Sequence, residues 1–439
     1  MRNACPQGSP SRSFELAAAR PRGLQLSAAS WALSIGAAIA AAAGASPSRG
    51  EDILIRASRV LPVSGAPIEP GSIVVRNGKI AEVGAAVSVS SGAAGVRTIV
   101  VNGCVAPGFV DCGSDIAILG RASEEWNELT PEHRALGGVD DAHRELAHAL
   151  EAGVTAAAVS PGPRNVIGGL GAVIRTHAPR RGESRVLKKD AFLEVSINEA
   201  AVDGNYNLRF SRPLSYTFRL PNTRMGAVFL ARRAFFEASD SPGASQVPSL
   251  LAAEGRAQLE RGIAGETTLR VYADAEQEIV AALRMADEFH VAIEIVGGGE
   301  AAALVPRLAE RRVAVLLDPA TNYREQSPRE FPRYVTDLPA RLARAGVPFA
   351  FASMDGDAVE LLRTRVAFMI RFGLSEADAL SAVTLTAARI LRVEDRIGSI
   401  EPGKDADLVA FSGDPFDVSA GVLWTMSAGR IDREIEGEF

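Results

Sequence analysis

Apolar and polar positions change texture twice along the chain. Between residues 52 and 104, short runs such as Ile53-Leu-Ile-Arg-Ala, Ser72-Ile-Val-Val-Arg and Lys79-Ile-Ala-Glu-Val alternate or stay apolar. Gly71, Asn77-Gly78 and Gly84 separate them. Runs of this kind between turn residues predict strands, and Asn-Gly predicts a tight hairpin. Residues 99–102 predict another strand. From about residue 105 the runs lengthen and alternate. Strands are predicted at 155–160, 172–176, 269–272, 292–296, 313–317 and 349–352, and helices at 140–152, 225–238, 276–289 and 301–309. Two stretches, 198–222 and 239–248, read as loops. After a last predicted helix at 375–391, short strands return at 396–433.

Strand–helix alternation over 105–395 predicts an α/β architecture, most simply a (β/α)8 TIM-type barrel. The strands of 52–104 and 396–433 are expected to pair with each other. They would form a small composite β-sandwich domain from both ends of the chain. The 439 residues, 47% hydrophobic and 23% charged, have the composition of a globular protein. A formal charge of -6 disfavours a nucleic-acid partner.

The first 45 residues stand apart. Arg2, Arg12, Arg20 and Arg22 precede an alanine-rich apolar run at 24–43, which closes on Ala43-Gly44-Ala45. Basic, apolar and small-residue regions in that order predict a cleaved signal peptide at 1–45 and an exported protein, periplasmic or extracellular. A retained anchor is the alternative, since the run approaches bilayer-spanning length. After processing no stable membrane span is expected. The cysteines are Cys5, Cys104 and Cys112. They are too few for a disulfide framework and lack metal-binding spacing. Cys104 and Cys112 flank a turn and a strand start, which disfavours their pairing.

Three segments resemble the amidohydrolase superfamily. Val105-Ala-Pro-Gly-Phe-Val-Asp111 is similar to its entry into the first barrel strand. Gly398-Ser-Ile-Glu-Pro-Gly-Lys-Asp-Ala-Asp-Leu-Val409 is similar to its C-terminal signature, and Thr384-Leu-Thr-Ala-Ala-Arg-Ile390 to the preceding helix. Glu128-Leu-Thr-Pro131, Gly153-Val-Thr155, Asn165-Val-Ile-Gly-Gly169, Gly171-Ala-Val-Ile174 and Thr223-Arg-Met-Gly226 resemble its imidazolonepropionase-like secreted branch. The resemblance spans residues 52–433. It implies a metal-centred barrel that hydrolyses C–N bonds, with zinc or another divalent ion activating water.

The positions that the resemblance assigns to that metal hold other residues. Where a His-x-His is expected, the chain reads Gly113-Ser-Asp115. Arg175 stands at the candidate position for a carboxylated lysine, Tyr272 at the fifth-strand histidine with Asp274 two residues on, and 296–300 contain no histidine. The last-strand aspartate falls near Asp355, one residue late, and Asp355 is the candidate catalytic residue. Asp115, Arg175, Tyr272 and Asp274 are candidate binding residues at former metal positions. No metal ligand and no cofactor are expected. A charge-neutral network involving Arg175 is the simpler replacement. Clustered carboxylates, among them Asp318, are the alternative as oxygen ligands. The resulting expectation is a metal-depleted, non-hydrolytic barrel that binds a small molecule or serves as a scaffold, as a homo-oligomer or beside a paralogue. The rival is an active exported amidohydrolase with relocated or all-oxygen ligands.

Overall fold

Two hydrogen-bonded sheets organise the chain. The computed structural model describes residues 52–87, 96–177, 179, 183–202, 205, 208–209, 212–213, 219–239, 243, 248–319 and 335–434. The expected leader lies outside these residues, as do parts of the expected loops at 198–222 and 239–248.

The first sheet joins the two ends of the described chain. β1 (Asp52–Val60), β2 (Gly71–Arg76), β3 (Lys79–Gly84) and β4 (Val96–Pro107) combine with β15 (Leu408–Phe411), β16 (Val422–Ser427) and β17 (Arg430–Glu434) in the order β17-β16-β15-β4-β1-β2-β3. Asn77 and Gly78, at φ 51° and 78°, form the β2–β3 hairpin turn. A sandwich of two sheets was expected; the structure has one continuous sheet of seven strands. The long strand β4 explains the difference. It runs parallel to β1 along one edge, and its last residues, Cys104 to Pro107, pair antiparallel with β15 along the other. One face buries Ile55, Ile73, Val105, Leu408 and Met426.

The second sheet is a nearly closed barrel. Its strands are β5 (Phe109–Ser114), β6 (Val154–Val159), β7 (Ile167–Arg175), β8 (Val186–Ser196), β11 (Thr268–Ala273), β12 (Ile293–Gly297), β13 (Ala314–Leu317) and β14 (Phe349–Phe351), adjacent in that order. The two-residue strands β9 (Leu208–Arg209) and β10 (Arg212–Pro213) form a separate ribbon. Between β5 and β14, Met354 N donates to Gly113 O at 2.9 Å. The expected strict strand–helix alternation fails at one place. β7 runs antiparallel to both neighbours, so the architecture is mixed α/β. Parallel strands need a crossover of roughly a dozen residues or more, and only residues 160–166 separate β6 from β7.

Strand alternation divides the apolar side chains between two cores. Val110, Cys112, Ala156, Ala158, Val173 and Phe192 belong to one cluster. Phe109, Ala157, Leu193, Val271, Ile295 and Val315 belong to the other, with the buried side chains of the helices. In α4 (Glu276–Phe289), Ile279, Ala282, Leu283 and Met285 supply that buried stripe. The other helices are α1 (Arg144–Glu151), α2 (Arg224–Ala238), α3 (Ala253–Ile263), α5 (Val305–Arg311), α6 (Leu338–Arg344), α7 (Leu362–Ile370), α8 (Glu376–Ala382) and α9 (Leu385–Ile390). The single helix expected at 375–391 is therefore two. Val110 N, in β5, takes the Val383 carbonyl at 2.7 Å, and Thr384 leaves helical geometry at φ −137°, ψ −97°. Among the described residues no helix is long and apolar enough to cross a membrane.

Candidate functional site

The interior of the barrel carries a buried polar cluster. Register sets Glu194 of β8 beside Arg270 of β11, and Arg270 beside Glu294 of β12. This acid–base–acid row is buried, with Arg270 only 1% exposed. The Arg270 guanidinium donates to Cys112 O at 2.8 Å and to Glu294 Oε2 at 3.3 Å through both Nε and Nη2. Its Cζ lies 3.5 Å from the centroid of the Phe192 ring, so its flat face is stacked. Guanidinium suits such a site because it combines a planar stacking face with forked donors.

Around this row lie further polar groups. Ser160 Oγ and Tyr272 OH both donate to Glu194 Oε1, the latter at 3.1 Å. Burial pushes the Glu194 carboxyl up to about 7, against the pull of Ser160 and of the Arg270 charge. Glu294 is also raised by burial, with Arg270 opposing. The Tyr272 hydroxyl is raised by burial and by the neighbouring Glu194. Asp111 stitches the seam between β5 and β14. Its carboxylate accepts from Ser353 N at 2.8 Å, Ser353 Oγ at 2.7 Å and Gly113 N at 3.3 Å. Burial raises its pKa, while these donors hold it down. Met354, next in the chain, adopts φ +64°, a left-handed conformation in which a non-glycine side chain is strained.

A cavity of about 170 Å³ lies outside this cluster, on the far side of Gly168. Thr130, His133, Pro161, Asn165, Gly168 and Gly169 contribute to its wall. Gly168 separates it from Glu194: a methyl group there would stand 3.4 Å from Glu194 Cβ.

The sequence signature described as "Amidohydrolase family" matches residues 333–431. An amidohydrolase from Thermotoga maritima has a similar structure, with a TM-score of 0.77 and 28% identity over 87% of this chain and all of that one. The imidazolonepropionase of Geobacillus kaustophilus is 37% identical over 76 residues, which are 16% of this chain and 18% of the enzyme. The amidohydrolase TasK of Hapsidospora irregularis is 24% identical over 358 residues, 71% of this chain and 34% of that protein. These similarities support the amidohydrolase superfamily. A prolidase solved with N-methylphosphonate-L-proline shares the fold, at a TM-score of 0.53 and 19% identity.

The donors of this barrel do not fit a divalent metal. Among the described residues no three His, Cys, Asp or Glu side chains converge on one point. Glycine at 113 offers no side-chain donor. A Cβ there would lie 3.4 Å from Arg270 Nη1, so a longer side chain would grow into the guanidinium. A fixed positive charge in that place repels a second cation.

The structure sorts the sequence candidates. Tyr272 joins the interior cluster. Arg175 does not: because β7 is reversed, its C-terminal end lies beside Ala156 near the start of β6. There Arg175 binds Asp405 at 2.5 Å and Asp407 at 3.2 Å, fastening the barrel to the seven-stranded sheet. The charge network expected around Arg175 is built instead on Arg270, which the sequence reading passed over. Asp115 accepts from Gly356 N at 2.8 Å and ties the end of β5 to the turn after β14. Asp274 accepts from Asn198 Nδ2 at 3.0 Å on the rim. Asp355, proposed as catalytic, is exposed and caps the short 3-10 helix Gly356–Leu361 by accepting from Asp357 N.

The histidines lie elsewhere. His177 Nδ1 sits 3.0 Å from Ser427 Oγ, and His290 ends α4 in the left-handed region. His143 and His148 face Glu145 and Glu360 at 3.4 and 3.6 Å, and His133 faces Glu132 at 3.8 Å. Cys104 and Cys112 are both free and buried. Glu194 and Ser160 were also missed. The only signal for Glu194 was a carboxylate within Ala191-Phe-Leu-Glu-Val195, on a strand that the charged start Lys188-Lys-Asp190 disguised.

Proposed function

We propose that this chain is a metal-free, non-hydrolytic member of its superfamily whose barrel is retained to bind a small molecule. One observation carries the proposal: the Arg270 guanidinium stands beside Gly113 inside the barrel, paired with Glu294. Metal-assisted hydrolysis needs an open coordination position and a cation that acidifies water. An arginine supplies charge but no coordination position. The fold is a TIM-type barrel variant with its third strand reversed. The leader at 1–45 supports export to the periplasm or exterior. Assembly as a homo-oligomer or beside a paralogue belongs to the same proposal.

Elemental analysis of protein prepared with zinc, manganese and magnesium present tests it. The expected result is far less than one ion per chain, with no turnover of a broad amide and dipeptide panel. One or two bound ions per chain, with hydrolysis that chelation abolishes, would instead establish the rival exported hydrolase with relocated or all-oxygen ligands.

A further inference from the structure

Three buried carboxyl groups share the barrel interior with one guanidinium, and their partners divide unevenly. Asp111 takes three donors from Ser353 and Gly113. Glu294 takes Arg270. Glu194 is the remaining carboxyl. Its Oε1 accepts from Ser160 and Tyr272, while its Oε2, buried, has no hydrogen-bond partner. Ser114 Oγ, at the end of β5, is likewise buried; it faces the Asp111 carboxyl and receives no donor on its lone pairs. The two residues are linked through Ser160: its amide donates to Ser114 O at 2.8 Å, and its hydroxyl donates to Glu194. A buried acceptor left unpaired costs free energy comparable to its desolvation. An unpaired carboxylate oxygen and a hydroxyl acceptor joined by one serine, with a cavity of about 170 Å³ on the far side of Gly168, form a polar site lacking its complement.

Charge selects the complement. Arg270 and Glu294 neutralise each other, and Arg270 Nη1 is held by Cys112 O. An anionic ligand would face Glu194. A divalent ion would find one free carboxylate oxygen and a guanidinium nearby. A monocation with N–H donors fits: one donor for Glu194 Oε2, one for Ser114 Oγ, and an apolar remainder that would pack against the interior cluster, to which Ala158 and Val296 belong and on which Met354 packs. We infer that Ser114, Ser160, Glu194 and Tyr272 form a recognition site for a small organic ammonium compound, with Glu194 as its counter-ion. The inference rests on the metal-free reading and names the ligand class of that same site.

The test is calorimetric titration of the full-length protein with cyclohexylammonium as probe, against its neutral counterpart cyclohexanol. Saturable binding of one ammonium per chain is expected, with cyclohexanol about tenfold weaker or more, as a charge-assisted hydrogen bond implies. Glu194→Gln keeps the shape and removes the charge, and it should weaken the ammonium by a similar factor. Ser114→Ala, a smaller change, should weaken it several-fold and serves if the glutamine variant misfolds. Equal affinity for ammonium and alcohol, no detectable binding, or unchanged binding in both variants would overturn the assignment. Elemental analysis of the same sample separates the two failures. Metal-free protein indifferent to ammonium defeats only the ligand class, whereas stoichiometric metal defeats the reading beneath it.

Discussion

Arg270 and Gly113 are best understood as a single change. A histidine at 113 and a guanidinium reaching from 270 compete for one volume, because a Cβ on Gly113 already lies 3.4 Å from Arg270 Nη1. Once placed, the guanidinium depends on Glu294, and a buried charge that loses its partner is costly, about 3–5 kcal/mol. Arg270→Ala should therefore destabilise the protein by about that amount. Arg270→Met combined with Glu294→Gln should recover most of the loss, because a neutral pair of similar volume removes the stranded charge. Denaturant titration of the two variants checks this. If the single and double variants prove equally unstable, packing on Phe192 rather than the ion pair holds the residue. The sequence did show that histidine positions had been vacated. It could not show what filled them, since Arg270 is one of many arginines and only the barrel register sets it between Glu194 and Glu294.

Among elements, β7 decides how much could be read in advance. The apolar period located β6, part of β7, β11, β12, β13, β14 and most helices, because each buries one face against a neighbour; β5 was reached only through the family resemblance at Val105–Asp111. Strand direction is not encoded in that period. It follows from loop length, and the short link at 160–166 turns β7 back on β6. The reversal moves Arg175 from the mouth of the barrel, where the family pattern suggested it, to the junction with the seven-stranded sheet. At that junction Asp405 is pulled in two directions. Burial raises it, but Lys79, Arg175 and Arg396 lower it further. Arg175→Ala takes the guanidinium from buried Asp407, which keeps Ser427 Oγ and Ala428 N as donors, and should cost about 3 kcal/mol. It should leave cyclohexylammonium affinity in the folded protein unchanged, because the residue touches only the lower junction. A large loss of affinity with little loss of stability would return Arg175 to the site. Strand β8 escaped the sequence reading for a related reason. Its charged first half and inward-facing Glu194 break the apolar run by which the other strands announce themselves.

For the molecule as a whole, two buried groups give opposite pH dependences over one window. Glu194 titrates near 7, above the ordinary glutamate value, because burial disfavours its charge. Between about pH 4.5 and 7 the native state keeps a proton that the unfolded chain has lost. Raising the pH therefore removes stability, on the order of 3 kcal/mol across the window. His177 lies between the barrel and the seven-stranded sheet, held down to about 4 by burial and then by the charges of Arg430 and Arg175. Between about pH 4 and 6.5 the unfolded chain holds a proton that the native state refuses, so raising the pH restores stability. The two slopes oppose each other and partly cancel. Glu194→Gln should leave a curve that rises more steeply with pH than the parent. His177→Gln should leave one that falls more steeply, and the double variant should return near the parent slope. Urea denaturation at half-unit steps from pH 4 to 7.5 measures all four curves. If Glu194→Gln runs parallel to the parent, the carboxyl titrates alike in folded and unfolded chains, and the interior is wetter than its burial implies. An ammonium ligand bears on the same balance. It favours the charged form of Glu194, so saturating cyclohexylammonium should stabilise the parent more at pH 7.5 than at pH 5, and Glu194→Gln should abolish that difference.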